Sequence, residues 1–245
     1  MIDTHAHLTG RFCDLPIGRQ DGEGIVEESK KAGLWGVVLA ASNVEESRKN
    51  IKLAKKYDGF LFPAVGIHPQ QTDIENKDSI DKQIEQLDEL ISKNKKKIVT
   101  VGECGLDYST PPPEEKERSK ENQEKLFRGQ ICLSIKYKPP LIIHARKAVD
   151  EVIEILSEYP DLKGVFHCYA GGKKRIKKVL DLGENWYFGI DGNLTYDEGL
   201  VEVVKGIPVD RLVLETDSPF LTPEPFRGKK NKPAYVKYVY EKLCK

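Results

Sequence analysis

Five histidines are spread through this chain, and each adjoins a short apolar run. His5 and His7 lie in Ile2-Asp3-Thr4-His5-Ala6-His7-Leu8. His68 follows Gly66-Ile67, His144 follows Leu141-Ile142-Ile143, and His167 follows Gly164-Val165-Phe166. Side chains alternate along a strand, so a strand over residues 2–8 turns Asp3, His5 and His7 to one face. Two imidazoles on one face at a strand end suit a metal ion that draws its ligands from one side. Glu103 and Asp217 close two further apolar stretches. Four imidazoles (His5, His7, His144, His167) and these two carboxylates exceed what one tetrahedral ion takes. They suit two divalent ions, bridged by the two oxygens of Glu103 and by water. Such a pair acidifies water and clamps both attacking and leaving oxygens, which makes hydrolysis the reaction class. Singly, each residue has a plainer explanation. His144 or His167 fits a satisfied core histidine, Glu103 a lysine partner, and Asp217 a turn cap before Ser218-Pro219. The argument rests on their joint placement.

Alternating strands and helices must position these groups. Residues 2–8, 35–41, 60–67, 98–102, 140–144, 164–167, 186–190 and 212–214 read as strands. Residues 21–32, 44–56, 77–95, 114–137, 147–159, 173–182, 198–205 and 234–243 read as helices, the first ending at Gly33 and the second capped by Asn43. Residues 11–20 and 225–231 read as loops, and Pro111-Pro112-Pro113 breaks the chain before the long fourth helix. Eight βα units without a linker predict one α/β domain over residues 1–245, a (β/α)8 TIM barrel. The alternative is a doubly wound open sheet, but no G-x-G-x-x-G run follows the first strand. In a barrel the strand C-termini converge on one mouth, where active sites sit. All five histidines, Glu103 and Asp217 fall at such ends.

Hydrophobic residues make up 39% of the chain and charged residues 32%, the balance of a soluble globular domain. Lys plus Arg equals Asp plus Glu at 39 each, so there is no global basic footprint, and any nucleic-acid contact must be local. No apolar run approaches the roughly 18 residues of a membrane span, and no signal-like segment opens the chain. A cytoplasmic monomer is expected. The five cysteines include no Cys-x-x-Cys pair and read as reduced thiols. Strand alternation turns Cys104 and Cys168 away from Glu103 and His167, toward the helix layer, as small buried hydrophobes.

The chain resembles the TatD family of metal-dependent DNases, within the amidohydrolase-like barrel hydrolases. The stretches that carry the resemblance are Ile2 to Leu8, Val65-Gly66-Ile67-His68-Pro69, Gly102-Glu103-Cys104-Gly105-Leu106-Asp107-Tyr108, Ile142-Ile143-His144-Ala145-Arg146, His167-Cys168-Tyr169-Ala170-Gly171-Gly172 and Leu214-Glu215-Thr216-Asp217-Ser218-Pro219-Phe220-Leu221. Gln123, Phe127 and Gln130 fit the same pattern on the fourth helix. The resemblance implies one ion held by His5, His7, Glu103 and Asp217, and a second held by Glu103, His144 and His167. It places His68, Asp107 and Arg146 on the substrate side. It implies hydrolysis of DNA phosphodiesters, with single-stranded ends as substrate in a 3'-5' sense, and magnesium as the metal. Histidine-rich ligation by itself favours zinc or manganese. This chain departs from the pattern at Pro111-Pro112-Pro113, at Lys232 in place of an acid and at Asp191 in place of a serine.

Two basic clusters bear on the substrate. Lys173, Lys174, Arg175, Lys177 and Lys178 follow Gly171-Gly172, and Arg227, Lys229, Lys230 and Lys232 follow the eighth strand. A solvated helix face accounts for Lys177 and Lys178. The loop after the eighth strand lies on the mouth side of a barrel, where Lys229 and Lys230 can meet phosphates. Tyr169 either stacks on a base or packs under its loop. The expected activity is thus a dinuclear phosphodiesterase on DNA ends, with Glu103 as bridge and Asp217 as proton acceptor from water. Two alternatives remain. One is an ester or amide hydrolase of the same barrel, acting on a lactone or a D-aminoacyl-tRNA, which needs no phosphate clamp. The other is a binding protein that keeps the metal site as a scaffold; the full ligand set argues against it.

Overall fold

The apolar runs pair side by side and most are buried on both faces, the pattern that a parallel sheet wrapped by helices produces. The computed structural model describes residues 1–9, 21–72, 79–113 and 118–245. The anticipated loop 11–20 and parts of two anticipated helices, 77–78 and 114–117, lie outside them. The strands are β1 (Ile2–Ala6), β2 (Gly36–Leu39), β3 (Leu61–Val65), β4 (Thr100–Asp107), β5 (Leu141–Arg146), β6 (Gly164–Phe166), β7 (Trp186–Ile190) and β8 (Leu212–Leu214). They pair in parallel, in sequence order. Between and after them run α1 (Asp21–Lys31), α2 (Val44–Lys56), α3 (Ile80–Asn94), α4 (Lys120–Tyr137), α5 (Val149–Ser157), α6 (Lys173–Leu180), α7 (Glu198–Val204) and α8 (Val236–Leu243). Asp217 N donates to His5 O at 2.9 Å and His7 N to Ser218 O at 2.7 Å, which brings the last strand back to the first. The result is a nearly closed (β/α)8 barrel, as the sequence predicts, rather than an open sheet.

Local chemistry sets the helix starts. Asn43 accepts from Glu46 N at 2.9 Å, and Ser79 and Ser119 cap α3 and α4 in the same way. Helix α5 begins two residues later than the periodicity predicts. Lys147 adopts φ +53°, outside the helical region, and only then does the helix run.

Two register irregularities matter for function. The β1–β2 pairing shifts between Asp3 and Ala6, and the β4–β5 pairing between Val101 and Cys104. His5 lies in the first shift and Glu103 in the second. A bulge re-aims one side chain relative to its neighbours. Glu103 N turns off the ladder to donate to Ala41 O at 2.9 Å. Beyond the shift β4 runs on to Asp107, paired with Arg146, five residues past the predicted end. Glycines and charges in Gly102-Glu103-Cys104-Gly105-Leu106-Asp107 weaken the strand pattern, yet the backbone pairs. Gly66 must lack a side chain: a Cβ there would meet the Gly102 carbonyl carbon at 2.5 Å. That close approach lets β3 and β4 bring His68 and Glu103 together.

Candidate metal centre

The mouth of the barrel gathers the predicted residues. His5 lies in β1 and His7 just past it, Glu103 in β4, His144 in β5, and His167 directly after β6. Asp217 lies three residues beyond β8 and His68 three beyond β3. His5, Glu103, His144 and His167 are all buried. Five ionisable rings and two carboxylates would be costly to bury together unless they paired or held cations.

Four donor atoms form one compact set. His5 Nε2 lies 3.1 Å from His7 Nε2, 3.4 Å from Glu103 Oε2 and 3.5 Å from Asp217 Oδ1. His7 Nε2 lies 3.4 Å from Glu103 Oε2 and 3.6 Å from Asp217 Oδ1. A tetrahedron around an ion with bonds of about 2.1 Å has edges of about 3.4 Å. These five separations match those edges. The donor set therefore fits a divalent cation.

The other oxygen of Glu103 faces three imidazoles. His144 Nδ1 is 2.6 Å from Oε1, His167 Nε2 3.1 Å and His68 Nε2 3.4 Å. His68 differs from the other two. Its Nδ1 accepts from Gln70 N at 3.1 Å, so the proton of the neutral ring sits on Nε2 and that atom is a donor. A ligand nitrogen must offer a lone pair, so His144 and His167 are the candidates for a second ion. Each has a carboxylate behind it. Asp107 Oδ2 lies 3.2 Å from His144 Nε2, and Glu215 Oε1 lies 3.3 Å from His167 Nδ1. The second contact has ion-pair distance without hydrogen-bond geometry, and Oε1 also accepts from Cys168 N at 2.5 Å. Carboxylates in this position fix the tautomer and orientation of metal-binding histidines.

Burial and mutual charge set the protonation of the cluster. Burial pushes the Asp217 carboxyl up to about 6, against the pull of His167 and His7. Burial also pushes the imidazoles of His5 and His68 down to about 4. It works against charging His7 and His167 as well, but Glu103 with Asp217, and Glu103 with Glu215, outweigh it and raise both. Glu103 is buried too, yet the facing His167, His68 and His144 hold it well below the ordinary carboxylate range. Glu103 thus stays an anion, and the rings raised around it are those of His7, His144 and His167.

Comparison with known proteins places this arrangement. The family model described as TatD related DNase matches residues 2–245. The chain belongs to the TatD-related DNase family. The metal-dependent hydrolase YabD of Bacillus subtilis is 34% identical over 248 residues, covering 100% of this chain and 90% of that protein. The 3'-5' ssDNA/RNA exonuclease TatD of Pectobacterium parmentieri is 29% identical over 257 residues, covering 100% and 90%. The crystal structure of YjjV, a TatD homolog from Escherichia coli K12, superposes with a TM-score of 0.85 at 29% identity, covering 100% of this chain and 89% of that one. This TatD-related chain is a metal-dependent hydrolase by family. No helix among its described residues is long and apolar enough to cross a membrane.

The roles of several residues that hold the TatD-related site together are not evident in the sequence pattern. Glu215 is fully buried, and a Cβ on Gly189 would lie 2.5 Å from its Oε2, so the glycine makes room for it. Its place two residues before Asp217, on the same strand parity, is the signal that could have found it. Asp3 accepts from Thr216 N at 2.9 Å and Thr216 Oγ1 at 2.6 Å, tying β1 to the segment that carries Asp217. On α4, Gln130 exchanges two hydrogen bonds with the backbone of Ile67, and Gln123 does the same with Asp107. Their seven-residue spacing puts both amides on one helix face.

Two residues sit otherwise than expected, and a third is decided between its alternatives. Asp107 is buried, and its carboxylate is taken by His144, Ser109 and Gln70. It positions a ring rather than facing substrate. Tyr169 is 3% exposed, edge-on to Phe188, with its hydroxyl donating to Gly172 O. It packs under its loop and offers no face to a base. Cys168 does not turn to the helix layer: β6 has ended, its φ is +42°, and its thiol faces Asp191 and stays protonated through burial and nearby carboxylates.

The predicted cations divide. Lys173 pairs with Glu202, Arg175 and Lys178 with Asp150, and Lys177 with Asp181, so the α6 cluster is largely a salt-bridged surface. Lys232 pairs with Glu28. Lys229 and Lys230 are exposed on the loop after β8, which Asn231 fastens by donating to Thr216 O and Phe220 O. Arg146 is exposed and lines a cleft of about 550 Å³ that reaches His144 and His167.

Proposed function

We propose that this protein is a dinuclear metal-dependent nuclease that cleaves phosphodiester bonds at single-stranded DNA ends in the 3'-5' direction. His5, His7, Glu103 and Asp217 would hold one ion, and Glu103, His144 and His167 the second. The observation that carries the reading is Glu103, whose two oxygens each face a separate group of imidazole nitrogens. When bound, such a pair of ions supplies Lewis-acid polarisation of a phosphoryl group and acidifies water. The relatives named as 3'-5' exonucleases support the substrate class.

The chain's own residues divide the remaining work. Asp217, partly buried at the edge of the donor set, takes the proton of the attacking water on its carboxylate. His68 is held with its Nε2 proton aimed at the Glu103 side of the centre, and donates to a phosphoryl oxygen as charge develops there. Arg146 offers a planar fork of donors to a substrate phosphate in the cleft beside His144. Lys229 and Lys230 attract the following strand.

A digestion panel tests the reading: single- and double-stranded DNA, RNA, a lactone and a D-aminoacyl ester, each with Mg2+, Mn2+ or Zn2+. Metal-dependent shortening of single-stranded DNA from its 3' end is expected. Turnover of the lactone or the D-aminoacyl ester without any DNA cleavage would overturn it.

A further inference from the structure

The cleft beside the metal centre has, beyond Arg146 and His167, a further lining residue that the chemistry above does not use. Arg146 ends β5, His167 follows β6 and Asn193 follows β7, so along the sheet the imidazole stands between the arginine and the amide. Asn193 lies in the short 3-10 turn Gly192–Thr195. Its side-chain carbonyl accepts from the Tyr196 hydroxyl at 2.5 Å, which leaves the amide nitrogen, a donor, for whatever enters the cleft. Tyr196 is itself held, with the Arg227 guanidinium 4.0 Å above its ring. The turn is locked from both sides. Asp191 accepts from Asn193 N at 2.6 Å, and a Cβ on Gly192 would meet Leu221 O at 2.1 Å.

Strain marks the same cleft. Lys147, Cys168 and Leu221 all line it, and all take positive φ between 42° and 53° without being glycine. Such conformations persist where surrounding structure enforces them, and they collect at binding sites. Asp150, Glu151 and Asp191 also line the cleft, so charge favours an anion only at the Arg146 end. Arg175 is spent on Asp150, whereas no carboxylate pairs with Arg146 among the described residues.

We propose that Asn193 is the specificity-determining donor of a phosphate subsite, shared with Arg146, that holds the phosphate next to the scissile one. Tyr196 is its positioning residue. The inference rests on the nuclease reading and adds to it a requirement: good substrates carry at least two consecutive phosphates, and a lone diester uses the metal centre without the subsite.

The test compares a short single-stranded oligonucleotide with bis(p-nitrophenyl) phosphate, which has one phosphate, in the metal-loaded enzyme. A hydrogen bond to a charged phosphate predicts that Asn193→Ala raises KM for the oligonucleotide about tenfold with kcat little changed. Asn193→Asp, which sets a carboxylate against the phosphate, raises it further. Tyr196→Phe keeps the ring under Arg227 and raises KM about threefold by releasing the amide. All three leave KM and kcat for bis(p-nitrophenyl) phosphate at wild-type values. A methylphosphonate at the neighbouring linkage abolishes the difference between wild type and Asn193→Ala. Wild-type kinetics on the oligonucleotide for Asn193→Ala, equal losses on both substrates, or a difference that survives the methylphosphonate and vanishes at an abasic neighbour overturns the subsite. A wild-type enzyme that cleaves neither substrate with any of the metals overturns the nuclease reading itself.

Discussion

The two sides of Glu103 are built differently. On the Oε2 side, His5, His7 and Asp217 stand apart at tetrahedral spacing, with separations of 3.1 to 3.6 Å. On the Oε1 side the groups have closed on one another, and His144 Nδ1 sits 2.6 Å from the oxygen, a direct hydrogen bond. One side is preorganised for a cation. The other must open that bond before its lone pairs can serve a second ion. The backing differs too: Asp107 hydrogen-bonds the far nitrogen of His144, Glu215 stands at ion-pair distance from His167 Nδ1, and neither that atom nor His5 Nδ1 has a hydrogen-bond partner. The first site is held by backbone geometry, through the β1 and β4 irregularities and the Asp3–Thr216 tie. The second is held by carboxylates that can adjust. For the proposed dinuclear centre this contrast predicts a tight ion and a looser one.

Glu103→Gln breaks both sides at once. It removes the charge that balances the surrounding rings, and hydrolysis should fall by about a thousandfold or more, measured as initial rate at saturating metal. The carboxylates behind the second site come next. Asp107→Asn and Glu215→Gln should each weaken the looser ion about tenfold to a hundredfold while sparing the tight one. Equal weakening of both ions would erase the distinction between the two sides.

Protons compete with metal at both sides. The Asp217 carboxyl sits at about 6, and His7 and His167 are raised. Metal affinity should therefore rise with pH through about 6 and release protons on binding, read by calorimetry in buffers of different ionisation heat. In the metal-free protein the sign is opposite for stability. A carboxyl raised by folding contributes stability at low pH, and that contribution is lost as pH rises through about 6. Melting temperatures with and without metal should therefore diverge as pH rises. The smallest effect belongs to the rim. Lys229→Ala with Lys230→Ala should raise KM for single-stranded DNA about twofold to threefold and flatten its salt dependence, since exposed cations are screened. Metal affinity should not change.

The strand order, the barrel and the gathering of His5, His7, Glu103, His144, His167 and Asp217 at one end were legible because apolar runs and strand-end polarity are local signals. What escaped depends on contacts far apart in the chain or on broken periodicity. Gln130 reaches the backbone of Ile67 across 63 positions, and Asp3 reaches Thr216 across 213. Alternation misplaces Cys168 because the strand ends at Phe166 and the backbone turns left-handed. Asp107 looked substrate-facing because nothing local shows that His144, Ser109 and Gln70 converge on it. Tyr169 was undecided between stacking and packing, and only the neighbouring Phe166 and Phe188 decide it.

The central claim is that Glu103 joins two unequal metal sites. Calorimetric titration of the metal-free protein with Mn2+ tests it most directly, with wild type beside His144→Ala. Two ions per chain are predicted, the first binding more tightly, with His144→Ala keeping the first step and losing or greatly weakening the second. A single ion per chain at saturation, or equal weakening of both steps in His144→Ala, would contradict it.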